Sequence, residues 1–118
     1  MAETQKGGNL SLAEEQAFQL SRCAIALDQA RQNRDKEPEE LTNALNENLQ
    51  VWVAIRTLAM REDSGFSDEI KDNLIKLSKF VAEKTFDSPE GISNQTMDTL
   101  INVNLQISEG LLEGVSAS

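Results

Sequence analysis

Apolar residues recur at steps of three and four along most of this chain, the spacing that places side chains on one face of an α-helix. The first such segment predicts a helix from Ser11 to about Asn33. Ser11 followed by Glu14 forms a capping box, in which two side chains satisfy free backbone N–H groups at a helix start. The apolar face of this helix consists of Ala13, Ala17, Leu20, Ala24 and Leu27.

A second segment predicts a helix that begins at Pro38, because proline suits the first helical turn, where its missing N–H costs nothing. Glu39 and Glu40 follow, and their negative charge suits the positive end of the helix dipole. The main face of this helix carries Leu41, Leu45, Asn48, Trp52, Ile55 and Ala59.

Two further helices are predicted after the loop 61–66. Ser67 is the expected N-cap of the third helix, the fourth begins near Ser93, and Gly114 is its expected end. The third helix carries an apolar stripe of Ile70, Leu74, Leu77 and Val81. The fourth carries Met97, Leu100, Ile101, Asn104, Ile107 and Leu111 on one face.

Four amphipathic helices with short connections predict an all-α protein, a compact single-domain helical bundle. The length of 118 residues fits one domain. We expect residues 1–10 to form a flexible tail, 11–114 to form the helical domain, and 115–118 to fray.

The charge balance limits the classes of partner. The chain has 11 basic and 20 acidic residues, a net charge of −9, which disfavours direct nucleic-acid binding and anionic membrane surfaces. Cys23 is the single cysteine, so no internal disulfide can form. With no signal-peptide pattern and no apolar run of membrane-spanning length, a cytoplasmic location is expected.

The composition also argues against catalysis. The chain has no histidine and no tyrosine, so neither a Ser-His-Asp triad nor a Cys-His pair can be built. The carboxylate pairs 14–15 and 39–40 sit where helix starts favour negative charge, and neighbouring side chains on a helix diverge. We therefore predict that the protein is not an enzyme and that it uses no cofactor and no metal ion.

Two asparagines interrupt apolar stripes and are the most unusual positions in the chain. Asn48 and Asn104 either bond each other or a helix end inside the core and fix helix register, or they line a groove and bind a partner's backbone. Trp52 lies one turn after Asn48, and its indole N–H needs an acceptor. In the groove hypothesis the partner-binding residues are Asn48, Trp52, Asn104, Ile107 and Leu111.

Secondary apolar stripes offer alternative contact faces. Phe18 and Ile25 lie roughly opposite the main stripe of the first helix. Ile75, Ala82 and Phe86 lie away from the Leu74 stripe of the third helix. Each line either marks a partner site or is covered by a loop or another helix.

Two segments resemble a known family. Residues 45–52, LNENLQVW, resemble the "Leu-x-x-Asn-x-x-hydrophobic-Trp" segment of the flagellar biosynthesis regulator (FlaF) family. Residues 100–111, LINVNLQISEGL, are similar to its closing "Leu-Ile-x-hydrophobic-Asn-x-x-Ile-x-x-Gly-Leu" segment. The likeness runs from about Glu14 to Leu112.

The resemblance implies a cytoplasmic protein of alphaproteobacterial flagellum biogenesis. Proteins of this family are expected to bind flagellin, assist its production and secretion in a chaperone-like way, and act post-transcriptionally alongside the FlbT regulator. A helix of unpolymerised flagellin would then lie in an apolar groove of the second and fourth helices.

Other functions compete with this one. A helical adaptor or homodimer could act through FlbT without contacting flagellin, using the Phe18 and Ile25 face. A regulator that binds RNA directly is disfavoured by the net charge. A carboxylate-bound metal enzyme has no supporting ligand spacing.

Overall fold

A computed structural model describes residues 12–86 and 92–117 of the chain, with side chains described up to 113. It contains four α-helices: α1 (Leu12–Gln32), α2 (Pro38–Met60), α3 (Asp68–Phe86) and α4 (Asn94–Ala117). The described residues contain no strand, and the prediction of an all-α helical bundle is confirmed. The predicted Ser11 cap and the tail 1–10 lie outside the described residues.

The helix starts follow the local sequence signals. Pro38 occupies the first turn of α2, as predicted. The Ser67 hydroxyl oxygen accepts the backbone N–H of Ile70 at 3.2 Å, and the Ser93 hydroxyl oxygen accepts that of Thr96 at 3.1 Å. Each serine satisfies a backbone donor that the helix itself leaves free, so both predicted starts are confirmed.

The end of α4 differs from the prediction. The helix continues through Gly114 to Ala117. Glycine inside a helix costs only about 1 kcal/mol relative to alanine, which the neighbouring helical residues can offset. Gly114 therefore does not end the helix.

The helices pack in the spatial order α3, α2, α1, α4. The most extensive contact joins α1 and α4, while α2 packs on both α1 and α3. Contacts between α1 and α4 show that they run antiparallel. Arg31 pairs with Asp98, and just after the end of α1 the Arg34 guanidinium donates to the carbonyl of Ile92, just before the start of α4, at 2.7 Å.

The core lies mainly where α1, α2 and α4 meet, and Leu74 and Val81 of α3 join it. Small residues of α1 let its neighbours approach closely, and larger side chains from the other helices fill the remaining space. The fully buried large side chains include Leu20, Leu27, Trp52, Ile55, Leu74, Val81, Met97 and Leu100.

One part of the predicted core is wrong. In α3 the predicted stripe is only partly covered, because Leu74 and Val81 are buried while Ile70 is exposed and Leu77 is half-buried. The physical reason is that α3 packs extensively on α2 alone, so a narrower strip of its surface is removed from water.

No described helix combines the length and the apolar character that crossing a lipid bilayer demands.

We expect Ser67→Ala to lower the free energy of unfolding by about 1 kcal/mol, because the Ile70 N–H loses its acceptor. Urea unfolding followed by circular dichroism measures this change. Ser67→Asp is the control, since aspartate caps equally well and should leave stability near that of the wild type. Equal losses in both variants would contradict the capping role.

Candidate functional site

The side-chain amide of Asn104 is the centre of a buried polar cluster. Its oxygen accepts the indole N–H of Trp52 at 2.9 Å. Its nitrogen donates to the Asn48 side-chain oxygen at 2.6 Å and to the Leu20 carbonyl oxygen at 3.1 Å. One amide therefore joins α1, α2 and α4 through three hydrogen bonds.

A second polar contact lies one turn further along α4. The Ser108 hydroxyl donates to the Ala17 carbonyl oxygen at 2.8 Å. The Ser21 and Ser108 hydroxyl oxygens lie 2.8 Å apart, and because Ser108 has used its only proton, Ser21 is the donor. Sequence reasoning missed this contact. The available signal was the position of Ser108 four residues after Asn104, on the same face of α4.

One atom of the cluster has no partner. The side-chain nitrogen of Asn48 is buried and makes no hydrogen bond. Burying such a donor unpaired costs about 1–3 kcal/mol. The unpaired nitrogen of Asn48 therefore lowers the stability of the fold, while the side-chain oxygen of Asn48 accepts a hydrogen bond from Asn104.

The structure brings together three of the predicted partner-binding residues, but inside the core. Asn48, Trp52 and Asn104 are each 0% exposed. Leu111 is buried and Ile107 is half-buried. The two asparagines bond each other, which fits the register alternative, and the acceptor expected for Trp52 is Asn104. In this arrangement the polar groups of the three side chains face one another inside the core.

An open groove lies instead between α2 and α3. Its volume is about 320 Å³, and its apolar lining comes from Leu49 and Val53 of α2 and from Ile75 and Ala82 of α3. Trp52 also lines it, so one side of this residue faces the groove while its N–H bonds Asn104. The sequence predicted an apolar groove of the second and fourth helices, whereas the groove found here lies between the second and third.

Two positive side chains and Ser78 complete the groove lining. Arg56 and Lys79 belong to it, and the lining contains no carboxylate. Across the described residues, other arginines do pair with acids. Arg22 lies 3.3 Å from Glu47, and Arg61 lies 2.8 Å from Asp63.

The alternative contact faces predicted from the sequence fall in two places. Ile75 and Ala82 line the groove, and Phe86 follows one turn after Ala82 with 70% of its surface exposed. Phe18 and Ile25 lie on the outer side of α1 and are 52% and 60% exposed. No described loop or helix covers that pair.

Titratable groups outside the groove are perturbed for local reasons. Burial raises the pKa of the Cys23 thiol, which keeps the thiol protonated near neutral pH. The Arg61 guanidinium hydrogen-bonds Asp63 and lowers the pKa of that carboxyl. Among the side chains that the structure describes, no three His, Cys, Asp or Glu residues gather where they could hold a metal ion.

These features define a class: a small all-α bundle protein with a buried amide cluster and an open apolar groove on one flank. The family model described as "Flagellar protein FlaF" matches residues 2–111. The chain therefore belongs to the FlaF family of flagellar proteins. The match starts nearer the N-terminus than the motifs indicate. No curated protein and no solved structure matches this chain.

The two segments that carry the family resemblance contain the cluster itself. Asn48 and Trp52 lie in the segment 45–52, and Asn104 lies in the segment 100–111. These side chains meet across the core. The Asn48 side-chain oxygen lies 2.6 Å from the Asn104 side-chain nitrogen, and the Trp52 indole nitrogen lies 2.9 Å from the Asn104 side-chain oxygen. The motif residues thus hold the helices in register in this structure.

We expect Asn104→Leu to destabilise the protein by about 2–5 kcal/mol, because the Trp52 N–H and the Asn48 oxygen would both be left unpaired. Asn48→Leu should cost at least about 2 kcal/mol less, because it also removes the amide nitrogen that already lacks a partner. Urea unfolding midpoints of the two variants, which replace asparagine by a side chain of similar size, measure the difference. Equal losses would contradict the central role of Asn104.

Proposed function

We propose that this FlaF-family protein binds flagellin and promotes its production and secretion in a chaperone-like way. In this proposal it acts post-transcriptionally alongside the FlbT regulator. The observation that carries the proposal is the open apolar groove between α2 and α3 on a chain that belongs to a flagellar family.

The groove supports the proposal through its shape and lining. An amphipathic helix buries its apolar face when it lies between two helices of a bundle. The terminal helices of unpolymerised flagellin lack their filament partners and are such helices. A contact of this kind would shield apolar surface that otherwise promotes premature association.

The proposed role is non-catalytic and lies in the cytoplasm. The chain has no histidine, and its net charge of −9 opposes direct binding to messenger RNA. We therefore propose that any effect on flagellin messenger RNA passes through FlbT as a protein partner.

A second candidate rests on the outer face of α1. Phe18 and Ile25 are both more than half exposed, one above the other on the helix. This face supports a homodimer or a helical adaptor that acts through FlbT without direct flagellin contact. This hypothesis predicts that the protein self-associates or forms a complex with FlbT and that Phe18→Asp abolishes this association. It also predicts that flagellin does not bind.

Isothermal titration calorimetry of the purified full-length protein with monomeric flagellin from the same organism tests the proposed function. We expect saturable 1:1 binding with a negative heat-capacity change, because apolar surface is buried. Deleting the terminal helices of flagellin should abolish the heat of binding. If flagellin gives no heat at two well-separated temperatures and micromolar concentrations while FlbT does, direct flagellin binding is excluded and the adaptor hypothesis replaces it.

A further inference from the structure

We propose that the α2–α3 groove selects a partner helix whose apolar stripe is flanked by acidic side chains. Arg56 and Lys79 would pair with those carboxylates. This inference rests on the proposed function in one respect: the proposed function assigns the partner helix to flagellin.

The dimensions of the groove suit a short stretch of helix. Its lining runs from Leu49 to Arg56 on α2 and from Ile75 to Ala82 on α3. Seven residues of helix span about 10 Å, or two turns. A partner helix can place apolar residues at positions i, i+3 or i+4, and i+7 over that length, the spacing that helix-in-groove contacts use.

Most of the residues that line the groove are apolar, and the groove is open to solvent. Val53 is 56% exposed, although it is a β-branched apolar residue on the wall of the groove. Opposite it on α3, Ile75 is half-buried, and the small side chain of Ala82 leaves room for close approach by another helix. Covering these residues would remove apolar surface from water, which favours binding.

The charge of the groove is opposite to that of the chain as a whole. Acidic residues outnumber basic ones by 20 to 11, yet the groove lining contains Arg56 and Lys79 and no acidic residue. Within the described residues neither cation has a carboxylate within 4.0 Å, whereas Arg22, Arg31 and Arg61 all do. Two unpaired cations beside an apolar strip are complementary to an amphipathic helix with acidic edges.

The same arrangement argues against a polyanion as the occupant. Two cations could neutralise few phosphates, and the remaining surface of an acidic protein would repel a nucleic-acid backbone. The apolar part of the lining would also make no contact with a polyanion. A protein helix uses both features.

The groove contains its own reporter. Trp52 is the only tryptophan in the chain, and it lines the groove from below. Its intrinsic fluorescence should therefore change when a tryptophan-free helix occupies the groove.

The test uses two synthetic, tryptophan-free amphipathic peptides of about 15 residues, a length at which isolated helices are marginally stable. Both have the same apolar stripe, but one has glutamate at its edges and the other has lysine. Each is titrated into the full-length protein while Trp52 emission is recorded. We expect the glutamate-edged peptide to bind about tenfold more tightly, with the difference shrinking at high salt.

A charge reversal in the groove provides the decisive variant. In Arg56→Glu/Lys79→Glu we expect the preference to reverse in favour of the lysine-edged peptide. The matched control is Lys36→Glu/Lys76→Glu, which makes the same change in net charge at two exposed lysines outside the groove lining. The control should keep the wild-type preference, and circular dichroism verifies that both variants are folded.

The outcomes separate this inference from the proposed function. If the glutamate-edged peptide binds and the groove variant reverses the preference while flagellin does not bind, the inference stands and the proposed function fails. If flagellin binds the wild type and Arg56→Glu/Lys79→Glu equally well, and the peptides show no preference, the groove is not the docking site. Preference retained in the groove variant would overturn the inference as well.

Discussion

Three helices meet at the side-chain amide of Asn104. It accepts the Trp52 indole N–H and donates to the Asn48 side chain and the Leu20 carbonyl oxygen, so α1, α2 and α4 each supply a polar group that no water can reach. Such bonds are costly to leave unmade in a core, and a shift of one helix turn would break all of them together. The amide therefore fixes the register of the helices.

This constraint gives α2 two different sides. Toward the core, Trp52 and Asn48 are held by Asn104. On the other side, Leu49, Val53 and Arg56 face the groove beside α3. Because α3 packs extensively on α2 alone, its buried residues are only Leu74, Ser78 and Val81, and much of its surface stays exposed. One side of α2 thus stabilises the core, and the other side lines the groove of the proposed binding function.

Local structure was predictable from the sequence, and the location of the groove was not. Helix starts at Pro38, Ser67 and Ser93 depend on a few neighbouring residues, so the sequence predicts them correctly. The need of Trp52 for an acceptor was also predictable, because a buried indole N–H requires one. Which helices would leave a groove open depends on how far apart they pack, and periodicity carries no information about those distances. Ser108, which bonds the Ala17 carbonyl oxygen in the core, was missed, although its position four residues after Asn104 places it on the same face of α4.

The most direct test of this account is hydrogen exchange at the Trp52 indole N–H, followed by NMR in protein labelled with nitrogen-15 at its single tryptophan. We expect one indole signal that exchanges slowly in the free protein and stays equally protected when flagellin is added, with only a small change in chemical shift. Protection that is lost on flagellin binding would contradict it. That result would mean that the core opens and that Asn48 and Asn104 contact the partner themselves.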